Sequence, residues 1–109
     1  MITLQKIEPH LNRHRLISLY EEYTAESFKN RMLPNRGVMV LNDCAFHEKR
    51  DDYYIMLDDE IIGFVFVNRA QEFSKDSIEV IFIKKQYRGH AYSSTAVHLI
   101  INKYKKENA

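Results

Sequence analysis

The stretch Ser77 to Ser94, SIEVIFIKKQYRGHAYSS, decides how the rest of the chain is read. Five of its first seven residues are β-branched or aromatic, the composition of a strand. From Ala91 onward the spacing turns helical, and the connection between the two is basic, rich in hydroxyls and centred on Gly89, one of only 3 glycines in the chain. A turn of this kind presents backbone N–H groups at a helix N-terminus, where a phosphate is readily held. It serves equally well simply to close a strand-to-helix connection, and the turn alone does not separate the two readings.

Working outward from it, SIEVIFI (Ser77–Ile83) reads as a strand. Ala91–Lys106 reads as a helix with Val97, Ile100, Ile101 and Tyr104 on one face. Lys103, Lys105 and Lys106 in its last turn complement the negative end of the helix dipole. Upstream, YYIML (Tyr53–Leu57) and EIIGFVFV (Glu60–Val67) are strands meeting at a tight Asp58-Asp59 turn, an expected hairpin. Ile2, Leu4 and Ile7 suggest a short first strand stopped near Pro9. From Arg15 a helix of about 15 residues is expected, with Leu16, Leu19, Tyr20, Tyr23, Ser27, Phe28 and Met32 as its apolar stripe. The segment Val38–Arg50 fits neither period cleanly, and LPNRG (Leu33–Gly37) reads as a turn. The order of elements predicts an α+β fold with a largely antiparallel sheet.

Composition narrows the function. A chain of 109 residues with 45% hydrophobic and 28% charged residues is expected to form one domain, residues 1–109, with a single core. A net charge of +1 leaves no basic footprint for nucleic acid, and no apolar run is long enough to span a membrane. The N-terminal stretch has neither the apolar core nor the cleavage site of a signal peptide, so a cytoplasmic protein is expected. Cys44 is the only cysteine and reads as a buried, idle thiol.

A central strand followed at once by Gln86-x-x-Gly89-x-Ala91 and a helix resembles the acyl-CoA-binding motif of the GNAT superfamily of N-acetyltransferases, Arg/Gln-x-x-Gly-x-Gly/Ala. The YYIMLDDEIIGFVFV hairpin is similar to that family's second and third strands. The resemblance covers Tyr53–Tyr104 closely and Met1–Met32 in element order. It implies a GNAT-like fold, a mostly antiparallel sheet flanked by helices, but lacking the usual C-terminal strands, since the sequence ends soon after the motif helix. It also implies acetyl-CoA as co-substrate, transfer of its acetyl group to an amine on a small molecule or protein, and no metal.

Carried onto this chain, the resemblance has Phe82 and Ile83 offering backbone groups to the pantetheine arm. Arg88, Gly89, His90, Ala91 and Tyr92 cradle the pyrophosphate, with Gln86 opening the motif and Ser93 or Ser94 donating a hydroxyl. Exposed Arg88 and the helix-start serines have equally ordinary solvent and capping roles. Glu79 is the candidate base that takes the amine's proton; by strand alternation it should face away from Ile78 and Val80. The family's tyrosine acid, which lies beyond the motif helix, has no counterpart here. A homodimer whose interface includes the SIEVIFI strand or the neighbouring face of the Ala91–Lys106 helix is the expected consequence, and a catalytically inactive module acting in protein–protein interaction or self-association is the alternative function.

Other groupings point to structure. His10 and His14 have helical metal-pair spacing without a third ligand. Cys44 and His47 lack an orienting partner. Asp51-Asp52 and Asp58-Asp59 read as turn charges, and Tyr20, Tyr23 and Tyr104 as core or core-rim residues.

Overall fold

The computed structural model describes residues 1–9, 13–27, 36–71 and 75–107, with Arg36 and Glu107 described by backbone only. Phe28, Met32, His10 and the Leu33–Asn35 part of the expected turn lie outside the described residues. The elements are β1 (Ile2–Lys6), α1 (Arg13–Ser27), α2 (Arg36–Cys44), β2 (Arg50–Leu57), β3 (Glu60–Asn68), β4 (Ser77–Ile83) and α3 (Tyr92–Glu107). A single 3-10 turn, Lys85–Tyr87, separates β4 from α3.

The four strands pair in the order β1-β2-β3-β4, every neighbour antiparallel. The expected α+β fold is therefore what forms. Leu57 faces Glu60 across the Asp58-Asp59 turn, and Asp58 takes a positive φ of 53°, a conformation Asp accepts more readily than most residues.

Both faces of the sheet are covered. On one side Ile55, Ile62, Val65 and Ile83 pack with Ala96, Ile100 and Tyr104 of α3. On the other, Tyr54, Phe64, Phe66 and Phe82 pack with Leu16, Leu19 and Tyr20 of α1 and Val40 and Cys44 of α2. Burial on two faces explains why β2 and β3 are continuously apolar where a one-sided strand would alternate.

Several boundaries move. The first helix begins at Arg13, two residues before the expected start at Arg15, and Ser27 is exposed at its end. Val38–Arg50 resolves into α2, a short connection and the start of β2; Gly37 belongs to the helix and not to the expected turn. Its helical period was faint because only Val40 and Cys44, four apart, are buried, while Val38 and Leu41 face outward. On α3 the buried stripe is Ala96, Ile100 and Tyr104, with Ile101 about half exposed.

The largest correction concerns Asp51-Asp52. They are strand residues, and both are buried. Asp52 points to the α1/α2 side, accepting from Arg13 Nη1 (3.0 Å), Arg50 Nε (2.6 Å) and Arg50 Nη2 (3.1 Å). Arg13 also donates to the Cys44 carbonyl (2.9 Å) and Arg50 to the Asp43 carbonyl (2.8 Å). One carboxylate thus ties the start of α1 and the end of α2 to β2. Asp51 points to the other face and accepts from Tyr104 Oη (2.5 Å), which also meets Tyr53 Oη (2.9 Å). Burial, then these hydrogen bonds, raises the Tyr104 phenol well above the ordinary tyrosine range.

Candidate functional site

The connection from β4 to α3 has an unusual backbone. Gly89 has φ +90° and Ala91 φ +59°, so two alternate residues are left-handed immediately before the helix. A Cβ built on Gly89 meets nothing within 4 Å: its conformation, not crowding, demands glycine, and the space in front of it is open. Ala91 pays a steric cost that glycine would avoid. The left-handed φ is also why α3 begins at Tyr92 and not at Ala91.

The first intrahelical bond of α3 runs from Thr95 N–H to the Ala91 carbonyl (3.2 Å). The N–H groups of Tyr92, Ser93 and Ser94 therefore precede the hydrogen-bonded ladder, at the positive end of the helix dipole. His90 is exposed and stacks on Tyr92, ring centroids 5.2 Å apart. Tyr92 packs in turn on the α3-side core. Tyr87 donates its hydroxyl to Glu60, anchoring the turn to the β2–β3 hairpin.

Beside this turn lies a cleft of about 370 Å3 lined by Tyr23, Glu26, Ser27, Ile81–Ile83, Arg88 and Ser93. Its floor is β4, an edge strand of the sheet. Lys84 N–H donates to the Ile62 carbonyl (2.8 Å), so alternation turns the backbone of Phe82 toward β3 and leaves that of Ile81 and Ile83 on the open edge. Phe82 contributes its ring, which meets Tyr23 edge-on at 5.9 Å. Of the two residues expected to offer backbone groups, Ile83 has them on the open edge with those of Ile81, while those of Phe82 face β3. Gln86 is exposed within the 3-10 turn; among the described residues neither it nor His90 lines the cleft.

Arg88 bridges the mouth. Its Nη1 and Nη2 donate to the two carboxylate oxygens of Glu26 (2.7 and 2.8 Å), and its Nε to the Ile83 carbonyl (2.8 Å). In the sequence Tyr23 and Ser27 read only as members of the first helix's stripe, and Glu26 carried no signal. They come from the last turns of α1, 62 residues away from Arg88 in the Glu26 case, and no local pattern announces such a contact.

Glu79 stands elsewhere. A register shift at Phe66/Val67 breaks the alternation of β4. Ile78 packs on the α3 side, but Glu79 reaches Arg50 (3.9 Å), whose guanidinium lies over Phe66 on the α1/α2 side, where Val80 also packs. Glu79 therefore faces away from Ile78 but shares a side with Val80, contrary to simple alternation. It lines a polar hollow of about 240 Å3 with Asp43, His47, Arg50 and Asn68. That hollow is four residues back from Ile83, about 13 Å along the strand. Asp43 there accepts from Tyr20 Oη (2.8 Å), and burial together with this bond raises the Tyr20 phenol.

Cys44 is buried under α1, which pushes its thiol up to about 12, and His47 turns instead to the Asn42 carbonyl (3.2 Å). The two form no nucleophilic pair. Among the described residues no group of three His, Cys, Asp or Glu side chains is placed to hold a metal ion.

A four-stranded antiparallel sheet whose edge strand leads through a glycine turn with left-handed backbone into an open helix N-terminus is the arrangement expected of a GNAT-like domain. The family model described as Acetyltransferase (GNAT) family matches residues 13–109, and the chain belongs to that family. Solved structures agree on the fold. The ribosomal-protein-alanine N-acetyltransferase of Brucella melitensis biovar Abortus 2308 is similar with a TM-score of 0.73 at 12% identity, over 97% of this chain and 74% of that one. A predicted acetyltransferase from Clostridium acetobutylicum, solved with acetyl-CoA, gives 0.68 at 12% identity over 99% and 76%. A GNAT family acetyltransferase from Staphylococcus aureus gives 0.67 at 14% identity over 97% and 93%. No curated protein gives a significant match to the sequence.

Proposed function

We propose that this protein binds acetyl-CoA along β4 and transfers its acetyl group to an amine. The observation that carries the reading is the paired left-handed backbone at Gly89 and Ala91, open in front and followed by the unladdered N–H groups of α3. A pyrophosphate fits such a turn, held by backbone donors and by the helix dipole. The pantetheine arm then runs back along the open edge of β4, taking hydrogen bonds from Ile81 and Ile83, so that its thioester end approaches Glu79 and the polar hollow. The amine nitrogen attacks the thioester carbonyl carbon, the C–S bond breaks and CoA leaves as the thiolate. Glu79, through water, takes the proton that the amine gives up. Membership of the family supports acetyl transfer in general; the acceptor, an amine-bearing small molecule or protein, is identified by its chemistry alone.

Calorimetric titration with CoA tests this. Gly89→Val is expected to abolish binding, because a β-branched residue at φ +90° forces the turn to another shape. The exposed position should leave most of the fold's stability intact. Absence of wild-type binding at millimolar CoA overturns the reading.

The other reading, a silent module, is favoured by one fact: Glu79 is drawn to Arg50 and does not line the cleft. Under either reading we place the protein in the cytoplasm, where acetyl-CoA is available and a lone thiol stays reduced; among the described residues no helix is long and apolar enough to cross a membrane.

We propose a dimer that forms at the other end of β4. Ile78, Val97, Ile100 and Ile101 line an apolar groove of about 790 Å3 edged by Lys75, Asp76 and Lys105. That mixture of charges is self-complementary about a two-fold axis, so a second copy is the proposed occupant. Light scattering should give a dimer at micromolar concentration that Ile101→Lys dissociates; a wild-type monomer, or a dimer indifferent to that lysine, removes the proposal.

A further inference from the structure

The Arg88–Glu26 pair stands where the ligand must pass. Its guanidinium occupies the Ile83 carbonyl, one of the open-edge groups available to an arm lying on β4, and both oxygens of Glu26 across the cleft mouth. Arg88 directly precedes Gly89, so the same side chain lies within reach of an anion on the turn. Both members of the pair are more than two-fifths exposed. An ion pair in that setting is held weakly and exchanges readily, whereas a guanidinium on a phosphate gains two charge-assisted bonds in a fixed fork.

We infer that Glu26 holds Arg88 in reserve as a phosphate-binding side chain, and that CoA binding requires Arg88 to leave Glu26 and the Ile83 carbonyl for the pyrophosphate. Glu26 is then a residue that sets CoA affinity without touching CoA, by competing for its binding partner. This rests on the acetyl-CoA reading above. It also gives the cleft two forms: one clasped from α1 to the turn, and one in which the Ile83 carbonyl is free for the arm.

The test is CoA affinity by calorimetry in wild type, Glu26→Gln, Arg88→Gln, the double variant and Glu22→Gln. Glu22 lies on the same helix and pairs loosely with Lys84 (4.0 Å), so it controls for the general loss of a negative charge near an anion site. Glu26→Gln is expected to bind CoA roughly threefold to fivefold more tightly, the worth of an exposed ion pair. Glu22→Gln should gain distinctly less. Arg88→Gln should bind more weakly than wild type, and adding Glu26→Gln to it should restore nothing. An unchanged or lowered affinity in Glu26→Gln overturns the exchange and makes the pair a plain tie between α1 and the turn. An equal gain in Glu22→Gln, or a gain that survives without Arg88, overturns it as well. If wild type binds CoA and these patterns fail, only the exchange is lost; if no protein in the series binds CoA, the acetyl-CoA reading falls and the exchange falls with it.

Discussion

Asp52→Ala is expected to destabilise the fold by about 3–5 kcal/mol, the cost of breaking a buried ion pair from one side. Asp52 is 2% exposed and lies between two arginines, themselves largely buried. Removing it leaves Arg13 and Arg50 facing each other with only the half-exposed Glu79, 3.9 Å from Arg50, as a counter-charge, and neither can reach water without releasing the carbonyls of Cys44, Asp43 and Ala45. The starting stability of a domain this size is of order 5–15 kcal/mol, so the variant should be partly unfolded near body temperature. Urea denaturation with an unchanged slope measures the loss. Asp58→Asn is the internal control, since Asn tolerates the φ of 53° at this turn as Asp does. Asp58 is an exposed turn residue that pairs with the N-terminal amine (2.7 Å), and the loss of that pair should fall within the range of a surface pair, up to about 1 kcal/mol. Equal losses for the two would overturn the assignment of Asp52 as the anchor of α1 and α2.

Gly63→Ala should be as damaging, for a different reason. A Cβ at this position would lie 2.0 Å from the Phe82 carbonyl oxygen, 3.0 Å from its carbon and 3.1 Å from the Ile83 Cα. All three are backbone atoms and cannot swing aside as a side chain would. Gly63 pairs with Ile55 on one side and Ile83 on the other, and the β2–β3 register shifts directly beside it, where Ile62 of β3 is the extra residue opposite Ile55/Met56. One methyl group therefore forces β4 off β3 at the floor of the cleft. Overpacking of this severity costs about 3 kcal/mol or more, which in a domain of this length lowers Tm by about 12–24 °C. CoA binding should fall with it, since Ile83 and the turn move together. A Tm within a few degrees of wild type would mean that β4 yields locally at little cost.

These two residues mark what could be read in advance and what could not. The β2–β3 hairpin, β4 and α3 were legible because each carries a dense apolar run or a clear helical stripe, and because Gly89 sits where a strand gives way to a helix. The motif turn was legible for the same reason: its chemistry is backbone chemistry, and glycine in a basic turn advertises it locally. Asp51-Asp52 and Asp58-Asp59 are the same dipeptide, yet one is buried in a strand and the other turns a hairpin. What separates them is that Asp52 lies opposite Phe66 in the sheet and Asp51 opposite Val67, and that arginines 39 residues before Asp52 and two residues before it converge on one carboxylate.

The sequence by itself determined the α+β class, the strand-turn-helix unit and the candidate backbone cradle, since all of these follow from local periodicity and from the conformational freedom of one glycine. Only the tertiary structure decided that Gly63 cannot carry a side chain, that the β4 bulge turns Glu79 to the same side as Val80, and that Glu26 of α1 meets Arg88 at the cleft. Each of those depends on which strand or helix lies alongside, and a pairing between distant segments is set by how both faces of the sheet are covered, a property no short window of residues contains.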